Sequence, residues 1–72
     1  MSNVKQGVVK WFSSQKGYGF ITDEGGVDYF AHYSQIKAEG FKNLKQGEAV
    51  NFVAVPGKDG KMKAENILVK WQ

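Results

Sequence analysis

The residues best suited to chemistry are aromatic rings that alternate with small residues beside lysines. One such run is Lys16-Gly17-Tyr18-Gly19-Phe20, and a second cluster of rings, without a lysine, lies within residues 28–32. Flat rings can stack on nucleic-acid bases because every base has a π-face, and lysines can neutralise phosphates. All ten basic residues are Lys, so none can make the planar two-pronged contact of an Arg. The spacing therefore indicates a stacking surface with point charges beside it.

A catalytic interpretation of the same region is weak. The single histidine, His32, follows Asp28 by four strand positions, or about 13 Å at ~3.3 Å per residue, which exceeds hydrogen-bond reach. Ser34 is close in sequence, but no carboxylate is visible that would orient a Ser34–His32 pair. The glycine-rich stretch 17–19 lacks the Lys-Ser/Thr and the helix of a phosphate-binding P-loop. We expect no enzyme, no catalytic residue and no cofactor.

The composition narrows the class of protein further. With 72 residues the chain is one small domain, 1–72, without room for a deep small-molecule cleft between two lobes. It has no Cys and one His, which argues against disulfides, thiol chemistry and multi-His metal sites. The net charge of +3 points weakly to a polyanion. No apolar run is long enough to span a membrane and the start lacks a secretory core, so we expect a cytoplasmic protein.

The hydrophobic pattern predicts strands rather than helices. The best helix candidate, 34–46, lacks a 3,4 spacing and contains Gly40, so we interpret it as a long loop with room for a turn of 3₁₀ helix. Five short strands without helices are best protected by closing into a small antiparallel barrel, which removes their exposed edges. The predicted strands are 5–12, 18–23, 28–32, 48–55 and 62–69.

Alternation assigns two faces to the second and third strands, and these faces compete for the core. Small and branched residues suit the tight interior of a five-stranded barrel. The opposite set would then point outward, next to Lys10 and Trp11. The inward set is Gly19, Ile21 and Ala31, with Val9 from the first strand; the outward set is Tyr18, Phe20, Phe30 and His32.

A simpler alternative is that the aromatic residues form the core, as they do in many small β proteins. Gly17 and Gly19 flank Tyr18 and shift the balance, because a strand glycine often marks close approach by a ligand or by another backbone. Glycine could equally serve a bulge or a tight barrel bend. The sequence leaves these alternatives open.

Several motifs together resemble one known family. Residues 16–21 resemble the first ribonucleoprotein motif, although Asp23 stands at its final aromatic position. An RNA-recognition motif domain would need two helices, for which the chain has neither the length nor the pattern. The resemblance is to bacterial-type cold-shock proteins, nearly end to end, and it implies an OB-type barrel. It rests also on Lys10-Trp11-Phe12 and on stretches 28–34, 40–44, 46–47 and 64–67.

The resemblance implies binding of single-stranded RNA and DNA with low sequence preference, an RNA-chaperone role, regulation of transcription or translation, and a link to the cold response. It assigns base stacking to Trp11, Tyr18, Phe20, Phe30, His32, Tyr33 and Phe41, and polar or phosphate contacts to Lys10, Lys16, Asp28 and Lys42; Phe12 would flank this surface.

Some positions depart from the family pattern. Ser13 stands where the family usually has Asn, Tyr18 and Tyr33 stand where Phe is common, and Tyr29 takes an inward position often held by a smaller aliphatic residue. The Tyr29 hydroxyl must therefore find a partner or reach the end of the barrel.

A different class of function would be peptide binding by an SH3-like small barrel, whose aromatic groove holds a Pro-rich ligand. SH3 grooves usually lie beside acidic loops, whereas Lys10 and Lys16 here favour an anion. We expect a monomer whose partners are single-stranded nucleic acids, without a membrane or a small-molecule substrate.

Overall fold

The computed structural model describes residues 4–37 and 43–69, which form five strands and two short 3₁₀ turns. Each strand begins and ends within one residue of its predicted bounds. The predicted 3₁₀ turn in the loop after the third strand is also present, and it starts one residue before the predicted loop. The elements are β1 Val4–Ser13, β2 Tyr18–Asp23, β3 Asp28–His32, η1 Tyr33–Gln35, β4 Ala49–Pro56, η2 Lys58–Gly60 and β5 Met62–Val69.

The strands close into a barrel in the order β1-β2-β3-β5-β4, so the predicted all-β barrel is confirmed. One detail of the prediction was wrong, because β3 and β5 pair in parallel, Phe30 with Lys63 and Ala31 with Ala64. The other neighbouring pairs are antiparallel. A closed ring with an odd number of strands cannot have every neighbour antiparallel, so one parallel seam is unavoidable.

The small and branched residues fill the barrel, as predicted. Gly19, Ile21, Ala31 and Val9 are all buried, which decides between the two faces of β2 and β3. Residues outside the strands complete the interior, where Ile36 and Leu44 close it from the long loop. The core consists of Val9, Ile21, Tyr29, Ala31, Ile36, Leu44, Val50, Phe52, Ala64 and Ile67.

A β-bulge in β1 turns two consecutive side chains outward. Val9 pairs with Ile21 and Trp11 pairs with Phe20, so Lys10 is the extra residue between them. Strict alternation would have sent one of Lys10 and Trp11 inward, but both are exposed while Val9 is buried. The bulge therefore delivers a lysine and an indole ring to the same outer surface.

The two glycines beside Tyr18 serve the backbone rather than a ligand. Gly17 has a φ of +86°, the left-handed conformation that most side chains avoid. A Cβ at Gly19 would lie 2.6 Å from Cα of Phe12, inside the contact distance of real atoms. Gly17 thus makes the turn before β2, and Gly19 lets β1 and β2 approach closely at a barrel bend.

In the described part of the chain no helix has the length and hydropathy to cross a bilayer.

Candidate nucleic-acid interface

Five rings from three neighbouring strands form one outer surface, which we call the aromatic face. Cross-strand register sets their positions, since Trp11 pairs with Phe20, Phe20 with Phe30, and Tyr18 with His32. The aromatic face therefore consists of Trp11 from β1, Tyr18 and Phe20 from β2, and Phe30 and His32 from β3.

Each ring of the aromatic face contacts at least one other ring. Trp11 lies 5.8 Å from Tyr18 and 5.6 Å from Phe20, measured between ring centroids. Phe30 lies 5.6 Å from Tyr18, 5.8 Å from Phe20 and 6.4 Å from His32. These tilted and edge-on contacts hold the rings against one another, and every one of the five residues remains partly exposed to solvent.

The rings are neither core residues nor free surface residues. Tyr18, Phe20, Phe30 and His32 are half-buried, while 39 % of Trp11 is exposed. Surface rings in contact with one another form a contiguous apolar patch, which in a small domain usually marks a binding site.

Tyr33 extends the row of rings beyond β3. Its ring lies 4.8 Å from that of His32, and 49 % of the residue is exposed. The Tyr33 N–H donates to the carbonyl of Gly17 at 2.9 Å, which ties the start of η1 to the turn before β2. The predicted stacking residues of the described chain are thus brought together, and Tyr33 stands at the end of the row.

His32 is oriented by the turn that follows it. The Ser34 N–H donates to Nδ1 of His32 at 3.2 Å, and the Ser34 hydroxyl lies 2.8 Å from the same nitrogen. The imidazole therefore caps η1. No carboxylate of the described residues bonds His32, so the Ser34–His32 pair lacks the third member that a nucleophile–base arrangement needs.

Asp28 and Lys10 form an ion pair at the rim of the aromatic face. Lys10 Nζ lies 2.9 Å from Asp28 Oδ2, and the Thr22 hydroxyl donates to Asp28 Oδ1 at 2.7 Å. These bonds, the Lys10 one first, lower the pKa of Asp28 below its ordinary value of 3.8, so the carboxylate is charged at neutral pH. The pair presents cationic donors beside anionic acceptors, a pattern suited to the polar edge of a base.

Three lysines of the β4–β5 hairpin complete the site, and the sequence could not place them. An open groove runs from the aromatic face to this hairpin. Lys63 lies beside Phe30 because the parallel seam pairs these residues. The groove also has apolar walls from Val27, which is exposed, and from Met62. It is lined by Tyr18, Phe20, Val27, Asp28, Phe30, Gly57, Lys58, Gly60, Lys61, Met62 and Lys63.

The remaining predicted site residues lie elsewhere or outside the described structure. Lys16 is exposed in the turn between β1 and β2, and its N–H donates to the Ser13 hydroxyl at 3.1 Å. Ser13 thus stabilises this turn. Phe12 packs against the edge of the core, so its contact with a ligand stays a prediction. Phe41 and Lys42 lie outside the described residues.

Comparisons with known proteins agree on one family. Residues 5–70 match the 'Cold-shock' DNA-binding domain. Cold shock protein CapB of Pseudomonas syringae pv. tomato is 49 % identical over 96 % of this chain and 99 % of its own length. Major cold shock protein CspA of Pseudomonas aeruginosa is 48 % identical over the same shares. Glycine-rich protein 2 of Nicotiana sylvestris is 54 % identical over 86 % of this chain and 29 % of its own.

A solved structure extends the comparison to the fold. The cold-shock domains of drosophila Unr (CSD456) superpose with a TM-score of 0.76, covering 99 % of this chain and 30 % of the other at 17 % identity. That similarity concerns the fold alone, whereas the family match and the relatives near 50 % identity concern the whole sequence. The chain therefore belongs to the cold-shock domain family, whose members bind nucleic acids and are not enzymes.

Proposed function

We propose that this protein binds single-stranded RNA and DNA by stacking unpaired bases on the aromatic face, with low sequence specificity. The observation that carries the proposal is the row of contacting, half-exposed rings from β1, β2 and β3. Each stacked base contributes roughly 1–3 kcal/mol and any base can stack, so rings provide affinity without reading sequence.

Lysines around the rings supply the electrostatic part of binding. Lys58, Lys61 and Lys63 line the groove, Lys10 pairs with Asp28 at the rim of the aromatic face, and Lys16 is exposed in the turn that precedes Tyr18. Each lysine that neutralises a phosphate releases counterions. A lysine is a point charge with a flexible stem, so these contacts position the strand rather than select bases.

The same mechanism selects single strands and explains a chaperone role. A duplex hides its base faces, so rings can engage bases only after the strands separate. A protein that binds only the open form of an RNA hairpin shifts the equilibrium of the hairpin toward that form, and it needs no ATP to do so. We propose that the protein acts in this way as a monomer on transcripts in the cytoplasm. It would thereby regulate transcription or translation, and it would do so also during the response to cold.

Quenching of tryptophan fluorescence tests the proposal directly, since Trp11 lies in the aromatic face. Trp71→Phe serves as the background, so that the signal comes from Trp11 alone. A single-stranded oligonucleotide should quench Trp11 emission, and a duplex of equal length should do so far less. Equal or tighter binding of the duplex would refute stacking as the mechanism.

A peptide-binding SH3-like function is the alternative, and the charge of the groove argues against it. The hairpin side of the groove carries three lysines, whereas Asp28, the acid among the lining side chains that the structure describes, is paired with Lys10. Titration with a Pro-rich basic peptide in the same fluorescence assay separates the two functions. Saturable peptide binding without oligonucleotide binding would support the alternative.

A further inference from the structure

The turn between β2 and β3 is organised by a single carboxylate. Asp23 Oδ1 accepts hydrogen bonds from the N–H groups of Gly25 and Val27, both at 2.9 Å. Asp23 Oδ2 accepts a third from the Tyr29 hydroxyl at 2.7 Å. The backbone adds a bond from the Asp23 N–H to the Val27 carbonyl at 2.9 Å. All of these bonds join residues between Asp23 and Tyr29, so the turn has little freedom while Asp23 is held.

Tyr29 connects this turn to the core. Only 3 % of Tyr29 is exposed, and its ring lies 4.9 Å from the ring of Phe52 on β4. Its hydroxyl reaches the end of the barrel, where it finds the carboxylate that an inward tyrosine requires. A hydrogen bond from a core ring restrains the turn more than a hydrogen bond from a surface side chain does, because packing already fixes the position of the donor.

The segment held in this way lines the proposed binding groove. Val27 and Asp28 leave the turn directly into β3, and both lie in the groove wall. Asp28 in turn is bonded by Thr22 and paired with Lys10. A chain of contacts thus runs from the core ring Tyr29 through Asp23 and Val27 to the rim of the aromatic face.

We infer that Tyr29 is a positioning residue for nucleic-acid binding, acting through Asp23 on the groove wall formed by Val27 and Asp28. The inference rests on the proposed function. Tyr29 itself touches no bound base, because it points into the barrel. Its hydroxyl holds the turn in the conformation in which the Val27 side chain and the Asp28 carboxylate face the groove.

The electrostatics of Asp23 provide a readout that a purely structural role would not give. The Tyr29 hydroxyl, followed by the Val27 N–H, lowers the pKa of Asp23 below its ordinary value of 3.8. The bond with Asp23, reinforced by burial, raises the pKa of Tyr29, so the phenol remains a donor. The other charged groups that face or neighbour Asp23 are Lys5, Glu24 and Asp28.

Tyr29→Phe is the test, since it removes one hydroxyl and keeps the ring. We expect its affinity for a single-stranded oligothymidylate to be roughly two- to tenfold weaker than that of the wild type at neutral pH. Ile67→Val, a mild truncation of a buried residue outside the turn and the groove, controls for lost stability and should bind as the wild type does. Both variants are measured where denaturant curves show them to be folded.

The pH profile separates positioning from general destabilisation. As the pH is lowered, the affinity of Tyr29→Phe should begin to fall at a higher pH than the affinity of the wild type. The reason is that Asp23 loses the hydrogen bond that lowers its pKa most, so the carboxylate is protonated earlier. Thymine does not titrate in this range and Asp28 titrates in both proteins, so the difference reports on Asp23. Faster exchange of the Gly25 and Val27 amide protons in Tyr29→Phe should accompany it.

Two results would overturn the inference. One is a Tyr29→Phe variant with the affinity and pH profile of the wild type; the other is an Ile67→Val variant whose affinity falls as much. Failure of the wild type to bind the oligothymidylate would instead remove the proposed function, and the inference with it. One experiment therefore distinguishes failure of the inference about Tyr29 from failure of the proposed function.

Discussion

The two sides of β2 and β3 carry different kinds of apolar residue. The inner side has Ile21 and Ala31, which are fully buried, and the outer side has Phe20 and Phe30, which are only half-buried. Tyr29 and Phe52 are the large rings inside the barrel, and the other inner positions of β2 and β3 hold small or branched residues. The outer rings keep surface that the proposed ligand can cover, whereas the inner residues hold the fold.

The largest expected difference between the two sides is in stability, and two adjacent valines of β1 measure it. Val9 is buried and Val8 is 46 % exposed. Val9→Ala should lower the free energy of unfolding by about 2–3 kcal/mol, from lost burial and the cavity left behind. Val8→Ala should change it by less than about 0.5 kcal/mol. Urea unfolding of both variants checks this, and equal losses would mean that the two faces of β1 are not distinct.

Truncation of an outer ring should give the opposite result. Phe20→Ala and Phe30→Ala should each weaken single-strand binding by about 1–3 kcal/mol while the protein stays folded, because each removes one stacking partner. Fluorescence titration gives the affinity and circular dichroism the fold. Unfolding of either variant under native conditions would show that the rings serve the core, and the comparison would fail.

The lysines should contribute less than the rings, and salt should reveal how much. Five lysines are candidates for phosphate contacts, three in the groove, one at its rim and one in the turn before β2: Lys58, Lys61, Lys63, Lys10 and Lys16. If three to five of them contact phosphates, the slope of log K against log salt should be about −2 to −3.5 for a single strand.

Lys16→Gln should reduce the magnitude of that slope by about 0.7 for every oligonucleotide sequence, since a point charge reads no base. Lys45→Gln is the matched control, because Lys45 is equally exposed but precedes β4, outside the strands and the turn that carry the aromatic face. A loss of affinity that varies with base identity would give Lys16 a role in reading bases.

The smallest effect should come from the Lys10–Asp28 pair, since both side chains are largely in solvent. The pKa of Asp28 is lowered in the folded state, so the pair stabilises the fold above the ordinary pKa of 3.8 and that contribution is lost as the pH falls through the lowered value. The urea midpoint of the wild type should therefore exceed that of Asp28→Asn slightly at pH 6. The two midpoints should converge as the pH falls through the lowered pKa of Asp28, and a constant difference would contradict the assignment.

Local patterns were enough to predict the strands and their faces. Alternation placed Ile21 and Ala31 inward and Phe20 and Phe30 outward because each relation depends on neighbours in sequence. The bulge at Lys10 and the bend at Gly19 depend on how β1 meets β2, so the sequence raised the bend only as an alternative and did not predict the bulge.

The hairpin lysines and the parallel seam were beyond local patterns for the same reason. Lys63 joins the site only because β5 closes the barrel against β3, a contact between residues more than thirty positions apart. Sequence reasoning identified the rings and the charges near them in sequence, Lys10 and Asp28, and missed the hairpin lysines, whose position depends on where the chain returns. The Tyr29 hydroxyl, in contrast, reaches the barrel end as the sequence required, with Asp23 as its partner.

The parallel seam also has a consequence for motion. β3 and β5 are paired at only two positions, followed by the isolated bridge between Ile36 and Ile67, whereas the antiparallel pairs are longer. Local opening begins where the fewest backbone hydrogen bonds must break, so we expect the barrel to open at this seam first. Phe30 and Lys63 lie on its two sides, and a strand bound across them would act as a clasp that slows the breathing of the whole barrel.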